Sequence, residues 1–331
     1  MKIIDDYIAY VRNMRRYSQR TADIYEGVLR DYHRFVSRDG TVGSDEEFAA
    51  SFNVSEIRQY EVEMLEGKNA RSARTVNLHL SALSGFCRYL MQQGLLKSNP
   101  VKLVAKPKVE KRIPQFFRKD SMDEYFRFTD HLLHSEEINA FLNEWETDSG
   151  RKYYAKLLER LIVSTLYSLG LRRAELIGLR LDSIDFARNV VKVSGKGDKM
   201  REIPLVGSLS EEILLYLKAV EAMCGGKRSL KEPLFVTYKG AGLYPNYVDR
   251  AVKSALGEVG SIHGRKSPHV LRHSLATELM NEDTGLNSIK ELLGHSSLAA
   301  TQVYTHSSIA RLKDSYERAH PRAKNGGKHG D

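Results

Sequence analysis

The stretch KSNPVKLVAKPKVEKRIP, from Lys97 to Pro114, constrains this chain more than any other. It places Pro100, Pro107 and Pro114 in a segment with no apolar period. Proline has no amide hydrogen and pushes the residue before it out of helical geometry. Neither a helix nor a central strand can continue through three of them, so the stretch reads as a boundary. A length of 331 residues exceeds the usual size of one domain, which also favours two. The expected division is a first domain over 1–104, a linker over 105–117, a second domain over 118–318 and a flexible tail over 319–331.

The two sides of the boundary differ in pattern. Before it, apolar residues recur at i, i+3, i+4 spacing in IIDDYIAYVRNM and in SQRTADIYEGVLRDYHRFV, the latter opening on Ser18 as a cap. NVSEIRQYEVEML predicts a third helix with Ser55 as its cap, and SARTVNLHLSALSGFCRYLMQQG a fourth that stops at Gly94. These make an all-α bundle. Near the start of its fourth helix stand Arg71, Arg74, Asn77 and His79, side chains able to reach phosphates or base edges in a groove.

After the boundary the pattern is mixed. YYAKLLERLIVSTLYSLG is a strongly apolar helix ending at Gly170. VVKVSGKGDKMREIPL alternates on both sides of a Gly, Lys and Asp turn and predicts a hairpin. SLSEEILLYLKAVEAMC predicts a helix capped by Ser208 or Ser210, and three further helical pieces follow between about 245 and 318. The second domain is thus expected to be mainly α, of α+β class, with a small antiparallel sheet. HLLHSEEINAFLNEWETD, ahead of the apolar helix, holds five acids and no Lys or Arg. It is expected to avoid a polyanion, as an extended helix or as a contact to another protomer.

Charge points to the partner. The net charge is +9 and the pI about 9.3. Between Lys97 and Lys119 there are eight Lys or Arg against the single acid Glu110. Lys106, Lys108, Lys111 and Arg112 lie along that connector, where a basic linker can rest against phosphates. No run of eighteen apolar residues predicts a membrane span, and MKIIDDYIAYVRNMRRY reads as an amphipathic helix rather than a signal peptide. Cys87 and Cys224 are too far apart in sequence for a ligand motif, so neither a disulfide framework nor a zinc site is expected, in keeping with a reducing cytoplasm.

Four segments of the second domain carry unusual polar residues. GLRRAEL has Arg172 just past the apolar helix and Glu175 three residues on. SGKGDKMR puts Lys196 in the hairpin turn, and it is no P-loop, since the G-x-x-x-x-G-K-[ST] pattern is missing. HVLRH sets His269 and Arg272 on one helix face. His273 shares the i, i+4 spacing of zinc-binding helices with His269, but there is no H-E-x-x-H motif. LLGHSSLAATQVYTH adds His295 and Tyr304. Two arginines, a lysine and two histidines can bind and protonate a phosphodiester, and a tyrosine can attack it. No clustered acids predict a two-metal site. Protein cations would take that place, arginine being permanently charged and bidentate toward phosphate.

In order and wording, LYSLGLRRAEL, GKGDKMREIPL, HVLRHSLAT and LLGHSSLAATQVYTH resemble the boxes of the tyrosine recombinases, the lambda-integrase family, and particularly its bacterial Xer-type members; the ending HPRA is similar too. The resemblance spans most of the chain. It implies a SAM-like, core-binding first domain and a catalytic second domain. It implies that Arg172 and Arg272 grip the scissile phosphate, that His295 donates to it, and that Lys196 protonates the leaving 5′ oxygen. His269 would move the tyrosine proton, Tyr304 would form a 3′-phosphotyrosyl bond, and Glu175 would orient its neighbours; His273 receives no role. No metal or other cofactor is required. The implied partners are a double-stranded DNA recombination site and recombinase protomers in a homo- or hetero-tetramer, without a membrane, in a cytoplasmic, nucleoid-associated setting. The implied tasks are dimer resolution, inversion or integration of a mobile element. Relaxation of the type IB topoisomerase kind and non-catalytic DNA-binding regulation are the alternatives.

Overall fold

The computed structural model describes residues 1–109, 115–195 and 200–281. Contacts divide the chain into two compact units, Met1–Arg112 and Ile113–Asp331.

The described part of the first unit is helical: α1 (Lys2–Asn13), α2 (Gln19–Val36), α3 (Asp45–Ala50), α4 (Val54–Glu66) and α5 (Ala73–Gln92), then a 3₁₀ turn at Pro100–Leu103. Each of α2 to α5 begins at a side-chain cap. Ser18, Ser44, Asn53 and Ser72 accept from the amides of Thr21, Glu47, Glu56 and Thr75. Ser18 is the cap that its sequence position predicts. Ser55 is not: the chain is extended at Asn53, whose carboxamide oxygen takes the Glu56 amide, so Ser55 lies within the first turn of α4. The short α3 was not expected, since six residues cannot display a helical period. Its capping box pairs Ser44 with Glu47. The fourth expected helix does stop before Gly94, which takes a left-handed conformation at φ 75°. The core is aromatic. Tyr32 sits 4.8 Å from Phe52 and 5.1 Å from Tyr60, ring centre to ring centre, and Phe86 joins them. Helices α1 and α5 approach closely at Gly85, where a Cβ would come within 2.8 Å of the Tyr7 hydroxyl.

The second unit is built around α8 (Asp148–Leu169), buried on nearly all sides from Leu157 onward. A helix that is apolar all round needs neighbours all round. They are α7 (Ser135–Glu144), α10 (Gly207–Cys224), α11 (Pro245–Gly257) and α12 (Pro268–Asn281). Before them come α6 (Lys119–Phe128) and a 3₁₀ turn at Asp130–Leu133. A buried ion pair, Arg160 to Glu212 at 2.9 Å, joins α8 to α10, and Arg160 also donates to the Phe126 carbonyl at the end of α6.

The acidic segment is not one extended helix but a 3₁₀ turn, then α7, then the first residue of α8. Ile138 and Phe141 turn the inner face of α7 into the core. The corner between the two helices is tight enough that a Cβ at Gly150 would meet the Glu144 carbonyl at 2.5 Å. At its other end α8 stops at Gly170, left-handed at φ 59°, as the sequence predicts. The short α9 (Arg173–Ile177) starts three residues later.

The expected hairpin is present as β2 (Val190–Ser194) and β3 (Met200–Pro204), with β1 (Ile184–Asp185) on the other side of β2 in an antiparallel sheet of order β1-β2-β3. Val191 faces Ile203 and Val193 faces Arg201. Neither Ser208 nor Ser210 caps α10. The residue before that helix is Val206, and Ser210 instead gives its amide to the Val206 carbonyl. Of the three helical pieces expected after 245, α11 and α12 are described; the third and the tail over 319–331 lie outside the described residues. No described helix is long and apolar enough to cross a membrane.

Candidate active site

Three separate elements converge on Glu175. The left-handed turn at Gly170 swings the chain out of α8 and leaves Arg172 extended immediately before α9. Glu175, one turn into α9, is buried, and its carboxylate reaches back to accept from the Arg172 amide at 2.8 Å and from Arg172 Nη1 at 2.8 Å. From β3, Arg201 donates Nη1 to Oε1 at 3.0 Å and Nη2 to Oε2 at 2.9 Å, a fork-to-fork pair. From α12, Arg272 Nη1 lies 3.9 Å from Oε2 and donates to the Gly170 carbonyl at 2.6 Å. The carbonyl at the end of α8 thus anchors the arginine of another helix.

The electrostatics follow from this crowding. Burial alone would raise the Glu175 pKa. The hydrogen bonds from Arg201 and from the Arg172 amide, with the charge of Arg201, outweigh it and hold the carboxyl at about 2. Arg272 is pushed down to about 10, first by burial and then by Arg172, with Glu175 opposing. It remains a cation at neutral pH. The four side chains sum to +2, three guanidiniums against one carboxylate, and the Arg172 side chain stays 37% exposed. A partly open cluster with excess positive charge and bidentate donors is suited to an oxyanion.

His269 is exposed at the start of α12, one turn before buried Arg272. Its pKa is lowered by partial removal from water, then by His273, Arg173 and Arg272. The ring is therefore neutral near pH 7 and able to accept a proton. Arg173, near His269, pairs with Asp249 on α11. Lys196, His295 and Tyr304 lie outside the described residues. Among the described residues, no three His, Cys, Asp or Glu side chains gather as a metal ion would require.

Arg201 was missed by the sequence reading, although a signal was present. In Met200–Pro204 the alternation places Arg201 and Ile203 on the buried face, beside Val191 and Val193. A charged residue at an inward strand position needs a buried partner.

The candidate DNA-contacting residues of the first unit separate into two groups. Arg74, Lys106 and Lys108 are exposed. Arg71 and Asn77 have internal partners: Arg71 donates to Asp31 at 3.0 Å and to His79 Nε2 at 2.8 Å, and the Asn77 amide donates to the Pro107 carbonyl at 3.0 Å. His79 is buried. Because Arg71 is a donor, the ring carries its proton on Nδ1 and donates it to the Tyr60 hydroxyl at 2.9 Å. Burial, then Arg71, lowers its pKa to about 4. Lys111 and Arg112 lie outside the described residues.

Comparison with known proteins agrees along the whole chain. The Phage integrase family matches residues 131–311, and the Phage integrase N-terminal SAM-like domain matches residues 4–94. The chain is 34% identical to "Tyrosine recombinase XerC" of Bacillus licheniformis, over 97% of this chain and 96% of that protein. It is 31% identical to the protein of the same name from Bacillus subtilis, over 96% and 95%. Among solved structures, its fold is similar to a XerH site-specific recombinase bound to palindromic difH substrate, with a TM-score of 0.65, 18% identity and coverage of 94% of this chain and 82% of that one. It is also similar to a lambda integrase dimer bound to a COC′ core site, with a TM-score of 0.55, 17% identity and coverage of 100% and 78%.

Proposed function

Since the chain belongs to the phage integrase family of tyrosine recombinases, we propose that its cation cluster holds the scissile phosphate of a DNA recombination site during strand cleavage and rejoining. The observation that supports this most is the convergence of Arg172 and Arg272 on one buried carboxylate, which Arg201 shares. Arg172 and Arg272 contact the non-bridging oxygens, and Glu175 orients both. The Tyr304 oxygen attacks phosphorus, and the bond to the 5′ oxygen breaks. A 3′-phosphotyrosine forms, and the departing oxygen takes a proton from Lys196. His295 donates to the phosphate, and neutral His269 accepts or returns the tyrosine proton. Lys196, His295 and Tyr304 enter this scheme through the resemblance of their motifs. The number of phosphodiester bonds is conserved overall, because the 5′ hydroxyl of a partner strand reverses the first step.

Preorganised donors act on charge that develops in the transition state, each worth roughly 10²–10³ in rate. The first unit, with Arg74, Lys106 and Lys108 exposed, supplies contacts to the DNA backbone, aided by Lys111 and Arg112. The working assembly is a tetramer of protomers on two DNA sites, in the cytoplasm and associated with the nucleoid. Its task is dimer resolution, inversion or integration.

A suicide duplex, nicked so that cleavage releases a short fragment, tests the reading. The unaltered chain should accumulate a covalent adduct, and Tyr304→Phe should bind the same duplex without forming one. An adduct in the Phe variant would move the nucleophile to another tyrosine.

A further inference from the structure

We propose that Arg201 is a positioning residue that sets Arg172 and Arg272 for the phosphate by saturating Glu175. This rests on the recombinase reading above and adds a residue to it. Arg201 occupies an inward position of β3 opposite Val193, on a face otherwise made of Val191, Val193 and Ile203. Placing a guanidinium there costs desolvation, which a sheet could avoid with any aliphatic residue. Its fork meets both oxygens of Glu175, at 3.0 and 2.9 Å.

The consequence lies in what the other two arginines are left to do. Arg272 stands 3.9 Å from Oε2, with its Nη1 donated to the Gly170 carbonyl at 2.6 Å, so it is near Glu175 without closing on it. Arg172 gives its amide and Nη1 to the carboxylate. With Arg201 removed, the buried carboxylate would have, among the described residues, these two guanidiniums to draw on. Coulomb attraction rises as separation falls, so Arg272 would be pulled inward and Arg172 held more tightly. Both would present less charge and fewer donors to a phosphate. Misplacement by about 1 Å is enough to cost roughly 10²-fold in rate. Arg201 also ties β3 to the α8–α9 corner, fixing the strand that follows Lys196 in the chain.

The test uses the full chain and two suicide duplexes, one with the natural scissile phosphodiester and one with a methylphosphonate there. The methylphosphonate carries one negative charge fewer in the transition state, so it depends less on how the arginines are placed. Arg201→Met should form adduct about 10²-fold more slowly on the phosphodiester. On the methylphosphonate that deficit should shrink about tenfold, because less charge needs a donor. Arg201→Lys, which keeps the charge without the fork, should fall between Met and the unaltered chain. Removing both buried partners limits the folding cost, so Glu175→Gln/Arg201→Met covers the case in which the single variant does not fold. The pair should be no slower than Glu175→Gln alone, since Arg201 acts through Glu175. An equal deficit on both duplexes, or losses that multiply in the pair, would overturn the proposal. Failure of the unaltered chain to form adduct on the phosphodiester would sink the recombinase reading itself, and this one with it.

Discussion

Both units hold a polar network that begins with a partly exposed arginine just ahead of a helix, and the two networks differ in what they bury. In the first unit Arg71 precedes α5 and donates to the Asp31 carboxylate and to a neutral His79 ring, which in turn donates a hydrogen bond to the Tyr60 hydroxyl. Arg34 also reaches Asp31, at 3.2 Å, so two exposed arginines and one carboxylate sum to +1, and the buried end, His79 and Tyr60, is neutral. In the second unit Arg172 precedes α9, and Glu175 is met by Arg172 and Arg201, with Arg272 close by. That sum is +2. A neutral buried end is complete when the chain folds, whereas a buried carboxylate ringed by three guanidiniums is suited to an anion. Residue type does not separate the two cases, since arginine, a carboxylate and a nearby histidine occur in both.

The strongest way to break the comparison is Arg272→Ala. If the surplus charge serves a phosphate, adduct formation should fall roughly 10²–10³-fold. The rise in melting temperature caused by saturating DNA should shrink, because a ligand stabilises only through its affinity for the folded state. A variant that cleaves at the normal rate would make the +2 cluster a structural feature like that of the first unit.

Acid should separate the networks next. His79 is lowered to about 4 from 6.5, so the folded state is neutral where the unfolded chain already binds a proton. Its contribution is therefore complete above pH 6.5 and is lost as pH falls toward 4. The shift corresponds to about 3 kcal/mol for this buried ring. Glu175, lowered from 4.5 to about 2, contributes stability that is complete above pH 4.5 and lost only as pH falls toward 2. Hydrogen exchange followed between pH 7 and 4.5 should show α5 losing protection while α9 and β3 keep theirs. Equal loss in both units over that window would refute the assignment of His79 as the sensitive group.

How far the sequence discloses these networks depends on the range of the signal. Long apolar periods announce α8, the paired helices of the first unit and the β2–β3 hairpin, and Gly170 marks the end of α8. The six-residue α3 has no room for a period. Asn53 takes the cap predicted for Ser55 because backbone extension, and not residue type alone, decides which side chain meets the orphan amides. The motifs single out Arg172, Glu175 and Arg272 individually, and the structure brings them to one carboxylate. Arg201 was legible only as a charge on the inward phase of a strand, and that meaning depends on a partner 26 residues earlier in the chain. Arg71, Asn77 and His79 read from sequence as side chains able to reach a groove; Arg71 is exposed, Asn77 half-buried and His79 buried. Their partners Asp31, Pro107 and Tyr60 come from other segments that local pattern cannot connect.

The smallest effect gives the finest discrimination, and it concerns two arginines three residues apart. Arg74 is exposed, whereas Arg71 is tied to Asp31 and His79. A lysine or arginine that neutralises a phosphate releases a counterion, so its loss lowers the slope of log K against log salt by about one. Arg74→Met should show that reduction with little change in melting temperature. Arg71→Met should leave the slope unchanged and lower the melting temperature, because the acceptor nitrogen of buried His79 loses its donor, while Asp31 keeps only Arg34. Removing the positive charge beside His79 should also raise the pKa of that ring, since Arg71 is one of the groups holding it down. The acid-induced loss of protection in α5 would then still begin near pH 6.5 but be smaller and end at a higher pH in Arg71→Met, and stay unchanged in Arg74→Met. A lower salt slope in Arg71→Met would show that the Arg71 network opens to meet DNA, and the division between the two networks would fail in the first unit.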